Sequence, residues 1–236
     1  MNVCRITSGQ PHKKAAALWS GGKDSCLAWR LATEQGYEVA TLVNFYSGNR
    51  SRSHGLPTAL ICDQAKAVGM PIIQKEVKGN AYEEAFLEIL AQFKKQDIEN
   101  LICGDIYLTE HRSWLERVAG ESGISPVFPL WDRDTGELMA EFIRRGFEAI
   151  IVAARSDVLG KEWLDCPIDA YFPQKLKGLP HKVDPCGESG EFHTLVVTGP
   201  DWPGRLKVLK TAPIEEDRHC FLNITRWEVV KIKEEV

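Results

Sequence analysis

The stretch Ala15-Ala16-Ala17-Leu18-Trp19-Ser20-Gly21-Gly22-Lys23-Asp24-Ser25 decides how the chain folds. Its first five residues are an uninterrupted apolar run, the pattern of a strand buried on both faces. From Ser25 the period changes, because Leu27, Ala28, Leu31 and Ala32 share one face of a helix that Gly36 can cap. Between strand and helix stand two glycines, where backbone N–H groups can converge on an anion at a helix N-terminus. Lys23 adds a full positive charge, and Asp24 can hold a magnesium ion on the same phosphates. The alternative is a plain Gly-Gly turn, against which the strand before and the helix after both argue.

The common phosphate loop places four residues between its glycines and follows them with Lys-Ser/Thr. Here Lys23 follows the glycine pair directly and precedes Asp24. Ser-Gly-Gly-Lys-Asp-Ser resembles instead the PP-loop of the ATP pyrophosphatases. That resemblance implies a loop gripping the β and γ phosphates of ATP while chemistry occurs at the α phosphate, leaving AMP and pyrophosphate.

Downstream, strand and helix patterns alternate. Glu38 to Phe45 reads as a second strand, followed by a polar stretch, Tyr46 to Gly55, that contains Arg50, Arg52 and His54. Leu60, Ile61, Ala65 and Val68 line a helix between Pro57 and Gly69, and Pro71 to Val77 is a third strand. Tyr82, Phe86, Ile89, Leu90 and Phe93 mark the clearest helix. A fourth strand, Leu101 to Asp105, leads to a helix carrying Trp114, Leu115 and Val118. Such alternation predicts an α/β fold with a parallel sheet and helices on both faces. Ligands then collect beyond the carboxyl ends of the strands, which makes residues 20–25, the loop after Phe45, and Gly104-Asp105 neighbours. From about Ser122 prolines punctuate shorter elements, among them a helix at Glu137–Arg145 and strands at Phe147–Ala154, Phe192–Thr198, Arg205–Leu209 and Phe221–Ile232. A boundary at 122/123 divides an ATP-binding domain (1–122) from a smaller α+β domain (123–236).

The 236 residues suffice for a sizeable core, and 44% hydrophobic with 26% charged residues is ordinary globular composition. A net charge of −4 argues against a broad nucleic-acid surface. No apolar run approaches the ~18 residues of a membrane span. Met1 to Lys14 lacks a secretory apolar core. Seven scattered cysteines with no CxxC pair indicate neither a zinc site nor a disulfide framework, so a cytoplasmic location is expected.

A second unusual stretch is Asp184-Pro-Cys-Gly-Glu-Ser-Gly-Glu-Phe-His-Thr194. Cys186, Glu188, Glu191 and His193 fall within eight residues, at a glycine-rich entry to an apolar strand. On a strand, Glu191 and His193 would share a face. Spacing alone leaves two readings open, a reactive cluster or a structural turn with satisfied polar groups.

This stretch, with the Ser-Gly-Gly-Lys-Asp-Ser loop, resembles the diphthine–ammonia ligase (diphthamide synthase) family. Further matching pieces are Val-Gly-Met-Pro-Ile at 68–72, Gly-Asp-Ile at 104–106, Phe-Pro-Leu-Trp at 128–131 and Gly-Phe-Glu-Ala-Ile-Ile-Val at 146–152. The resemblance implies a HUP-like (adenine nucleotide alpha hydrolase-like) ATP-binding domain joined to a substrate-binding domain. It also implies a reaction in which the carboxylate of diphthine, a modified histidine on the translation elongation factor, is adenylated and then amidated by ammonium. ATP and Mg2+ are the implied cofactors, with neither nucleic acid nor membrane as partner and a homo-oligomer left open. By position, Ser20, Gly21, Gly22, Lys23, Asp24 and Ser25 would bind the ATP phosphates. Asn44 and Phe45 would border adenosine, and Gly104 and Asp105 would face the same crevice. Lys23, Asp24, Glu188, Glu191 and His193 are the catalytic candidates; Arg112, Cys186, Gly187 and Glu188 are the substrate-binding ones. The chain departs from the family pattern in Ser47–Leu56, in Gly104–His111 and at Leu164-Asp165, where Leu-Gly is usual. Two other readings remain: an orphan member adenylating another carboxylate or small metabolite, and a non-catalytic ATP-binding sensor.

Overall fold

In the computed structural model, which describes residues 13–232, the apolar run before the glycine pair is a strand, β1 (Lys13–Leu18). Cys4 and most of the N-terminal segment read for a secretory core lie outside the described residues. There follow α1 (Lys23–Glu34), β2 (Tyr37–Ser47), the two-residue β3 (Arg50–Ser51), α2 (Thr58–Val68) and β4 (Ile72–Glu76). Next come α3 (Tyr82–Lys95), β5 (Asn100–Ile102), α4 (Thr109–Glu121) and β6 (Ser125–Val127). The rest of the chain forms α5 (Thr135–Arg144), β7 (Glu148–Arg155), α6 (Phe172–Lys177), β8 (Phe192–Thr198), β9 (Gly204–Glu216) and β10 (His219–Lys231).

β1 lies mid-sheet, with β2 parallel on one edge and β5 parallel on the other. β4 adds outside β2, and β6 outside β5. Strand direction of build-up therefore reverses between β1 and β5, the switch point at which open α/β sheets bind ligands. Alternation along β1 serves both faces. Ala15 and Ala17 pack with Leu27, Leu31, Leu60 and Ile61 of α1 and α2, whereas Ala16 packs with Phe86, Ile89, Leu90 and Phe93 of α3. Gly69 closes α2 in the left-handed conformation at φ +81.

The second sheet is antiparallel, in the order β8-β7-β10-β9. It is joined to the first by one continuous apolar core that runs from Ala15 and Leu60 through Phe142 and Ile151 to Val196 and Ile224. Ion pairs Arg30–Asp201 and Arg145–Glu34 lie on the rim of that seam.

Of the differences from the sequence reading, two bear most on the site and the domain boundary, and β9 also runs on to Glu216, well past the expected end at Leu209. The first helix begins at Lys23, not Ser25, because Gly22 is extended (φ −89, ψ 174) and acts as its N-cap. Lys23 and Asp24 thus stand on the first helical turn. The parallel sheet also continues past residue 122, since β6 pairs with β5 in register Leu101↔Pro126. Pro126 and a length of three residues conceal this strand from a pattern search. Asp165, where a Leu-Gly pair is usual, has φ +65, the backbone region that favours glycine and tolerates aspartate.

Candidate functional site

A cleft of about 420 Å³ opens at the carboxyl ends of β1, β2 and β5. Its walls come from Ser20, Lys23, Asp24 and Ser25, from Phe45 and Tyr82, from Arg52 and His54, from Asp105 and His111, and from Cys186, Gly187, Glu188 and His193. The two unusual stretches of sequence, more than 150 residues apart, therefore meet at one cavity.

The loop at 20–25 is braced from behind. Gln64, fully buried on α2, accepts a hydrogen bond from Trp19 Nε1 (2.8 Å). Its amide donates to the carbonyls of Gly21 (2.8 Å) and Val196 (2.6 Å). Gly21 has φ +83, and a Cβ there would lie 2.7 Å from Gln64 Oε1, so glycine is required on both counts. Ser20 Oγ accepts from Gly22 N–H at 3.1 Å, and Ser25 Oγ donates to Gly22 O at 3.0 Å. The N–H of Lys23 donates to Thr194 Oγ1 on β8 at 3.0 Å. Gly104 packs on this turn, because a Cβ there would meet Ser25 N at 3.0 Å.

Lys23 joins the two motifs. Its buried ammonium donates to Asp24 Oδ2 (2.8 Å) and to the carbonyl of Cys186. Burial lowers its pKa, and the charge and hydrogen bond of Asp24, with a smaller contribution from Glu188, overcome that, so the group is held protonated. Asp24 is the one carboxylate of the 20–25 loop and so the side chain there that could hold Mg2+, which commonly takes one or two carboxylates together with phosphate oxygens and water. Among the described residues no cluster of three or more metal-ligating side chains forms a closed metal cage.

The 184–191 segment is shaped by its own carboxylates. Asp184 Oδ1 accepts from the N–H groups of Cys186 (2.8 Å) and Glu188 (3.3 Å), and Oδ2 accepts from Thr135 Oγ1 (2.8 Å). Glu191 accepts from the N–H groups of Asp184 (3.2 Å) and Ser189 (2.8 Å). Gly187 and Gly190 take φ +72 and +78 to complete the turn. Glu188 is the carboxylate left to face the cleft. Burial, then Asp24, Asp184 and Asp105, lift its pKa to about 7 against the pull of Lys23. His193 is held neutral by burial and by Lys23, at about 4.

Several expected residues stand elsewhere. Glu191 is buried in its loop and does not line the cleft, because β8 begins one residue later and the strand alternation does not reach it. Asn44 is also buried, donating to Trp19 O (2.8 Å) and Ser51 Oγ (3.1 Å), so it braces the loop from below. Arg112 lies outside the cleft, paired with Glu116 at 2.7 Å and laid over Trp131 at 4.5 Å. Phe45 does line the cavity, stacked on Phe86 at 5.5 Å.

Other residues in the site escaped the sequence reading. β3 pairs with β2 beyond the end of β1, which folds the polar loop over the turn at 20–25. That places His54 on Gly22, where a Cβ would meet its ring at 2.4 Å, and stacks it on His193 at 4.7 Å. His54 Nδ1 is buried without a hydrogen-bond partner among the described residues, and burial, with His193 and Lys23 nearby, keeps the ring neutral. Gln64 had a signal in the sequence: an amide on the apolar face that Leu60, Ile61, Ala65 and Val68 define.

Family profiles match residues 13–126 as the diphthamide synthase N-terminal domain and residues 134–231 as the diphthamide synthase C-terminal domain. The chain belongs to the diphthamide synthase family. It is 26% identical over 233 residues to a Bos taurus protein named diphthine–ammonia ligase, covering 88% of this chain and 87% of that one. A Schizosaccharomyces pombe protein of the same name is 24% identical over 255 residues, and the match spans 42% of its length. A solved Methanocaldococcus jannaschii structure, described as a predicted subunit of tRNA methyltransferase, has 17% identity and a TM-score of 0.46, covering 80% of this chain and 98% of that chain. Both signature segments of this diphthamide synthase family member, 20–25 and 184–194, border the one cleft, and none of its described helices is long and apolar enough to cross a membrane.

Proposed function

We propose that the chain is an ATP-dependent ligase that forms a C–N bond, adenylating the carboxylate of diphthine on the translation elongation factor and transferring ammonia to it. The observation that carries this is Lys23, whose ammonium binds both Asp24 of the phosphate loop and the carbonyl of Cys186. Phosphate binding and the acceptor segment are thereby parts of one site.

A carboxylate resists attack by ammonia until its oxygen becomes a good leaving group. In this reading the carboxylate attacks the α phosphate of ATP, and pyrophosphate leaves. The loop 20–25 and Lys23 hold the departing phosphates, supplying preorganised positive charge where negative charge develops. Magnesium, when bound beside Asp24, would add further charge neutralisation at the phosphates. Phe45 and Tyr82 offer an apolar wall for the base, while Glu188 faces the acceptor side and holds ammonium. Asp184 and Glu191 keep Glu188 in place by fixing the loop backbone. The loop after β1 thus serves the nucleotide, and the segment from Asp134 onward brings Glu188 to the acceptor.

ATP–pyrophosphate exchange tests the adenylation step. Exchange should require the diphthine-bearing elongation factor and proceed without ammonium. Exchange that is absent with that factor, or equally fast without it, overturns the diphthine assignment.

A further inference from the structure

Asp105 and His111 form a dyad at the cleft that the adenylation step leaves unused. Gly104 must approach the start of α1 closely, and this fixes Asp105 just beyond β5. Asp105 does not cap the following helix: the N-cap of α4 is Leu108, with no side-chain cap bond. Instead its Oδ1 is hydrogen-bonded to His111 Nδ1. The Asp105 carboxylate is 10% exposed and the imidazole 42% exposed, so the carboxylate is enclosed while the ring reaches solvent. Trp114 fixes the ring plane from below, at 5.9 Å and 9° from parallel, and its own Nε1 is anchored on Glu83 at 2.8 Å.

This arrangement specifies a tautomer. In the neutral ring, a carboxylate that accepts from Nδ1–H leaves Nε2 with its lone pair, and the Asp105 hydrogen bond raises the basicity of that nitrogen. Nε2 makes no hydrogen bond to a described residue, and both Asp105 and His111 line the cleft that Glu188 enters. The charge of Asp105 is felt at Glu188, which puts the dyad and the proposed ammonium holder within electrostatic reach of each other.

We propose that His111 is the general base of the amide-forming step, with Asp105 as its positioning residue. The proposal rests on the ligase reading above. Ammonium has no lone pair and cannot attack. Nε2 takes one proton from it, and the nitrogen lone pair then bonds to the acyl carbon of the acyl-adenylate. The bond from that carbon to the phosphate oxygen breaks, its electron pair leaves with AMP, and a second proton is lost from nitrogen to solvent. The half-exposed imidazolium returns its proton to water.

The test uses two nucleophiles. Hydroxylamine is unprotonated at neutral pH and needs no base, whereas ammonium does. His111→Gln keeps the size and a donor to Asp105; Asp105→Asn removes the charge that orients the ring. With ATP, magnesium and diphthine-bearing elongation factor, amide formation from ammonium should fall by at least ~10²-fold in His111→Gln. Hydroxamate formation should fall much less, so the hydroxamate-to-amide ratio rises about tenfold or more in both variants. An equal fall with both nucleophiles, which a merely structural role predicts, overturns the dyad. So does normal amide formation in either variant. Wild-type protein that yields neither product and no pyrophosphate exchange overturns the ligase reading itself, and the dyad with it.

Discussion

Lys23 is a buried cation whose charge is balanced by Asp24 and by a carbonyl from another part of the chain. Lys23→Met keeps the aliphatic bulk and removes the charge. Pyrophosphate exchange at saturating ATP should fall by at least ~10²-fold, as for loss of one preorganised charge-stabilising group. Unaltered exchange would remove Lys23 from the adenylation site. Glu188 gives a test that needs no substrate. Its folded-state pKa of about 7 lies above the ordinary value of 4.5, chiefly through burial. Between those values the unfolded chain loses the proton while the folded chain keeps it, so folding becomes less favourable as pH rises through that window and stays so above it. Glu188→Gln is free of this penalty. Its melting temperature should therefore exceed that of wild type at pH 8, with the gap closing toward pH 4.5. A gap independent of pH would contradict the placement of Glu188.

The 184–191 segment shows what an element-level reading captures and where it stops. Its glycines and carboxylates announced a special backbone, and Gly187 and Gly190 are indeed in the left-handed region. Strand alternation put Glu191 and His193 on one face, but the strand starts at Phe192, and Glu191 turns back to accept two backbone N–H groups. Nothing in residue spacing distinguishes a carboxylate facing a substrate from one holding its own loop. Glu191→Gln, which can accept only with its single amide oxygen, should lower stability by roughly 1–3 kcal/mol in urea unfolding. Pyrophosphate exchange and amide formation should fall in parallel. Selective loss of amide formation at unchanged stability would return Glu191 to the chemistry. β1 was readable because a strand buried on both faces is a continuous apolar run; β6 was not, since Ser125-Pro126-Val127 carries no such run.

Across the whole molecule, the two sheets share one apolar core and one polar clamp. Gln64 bonds Trp19, Gly21 and Val196 together, and hence the end of β1, the phosphate turn and β8. Gln64→Leu preserves volume but leaves a buried indole N–H unpaired and takes one donor from each of two carbonyls, of which Gly21 O keeps the N–H of Val196 at 2.9 Å. Unfolding free energy should drop by roughly 1–3 kcal/mol, the cost of the orphaned indole N–H. ATP affinity should drop with it, as read by calorimetry on the folded variant. Wild-type stability would show that water replaces the amide and that the clamp is dispensable. The central claim, that the one cleft activates a carboxylate by adenylation and then amidates it, is tested most directly by phosphorus NMR of the complete reaction. With ATP, magnesium, ammonium and diphthine-bearing elongation factor, AMP and pyrophosphate should appear together, in proportion to the amide formed. ADP and inorganic phosphate as the products that accumulate with the amide would contradict it.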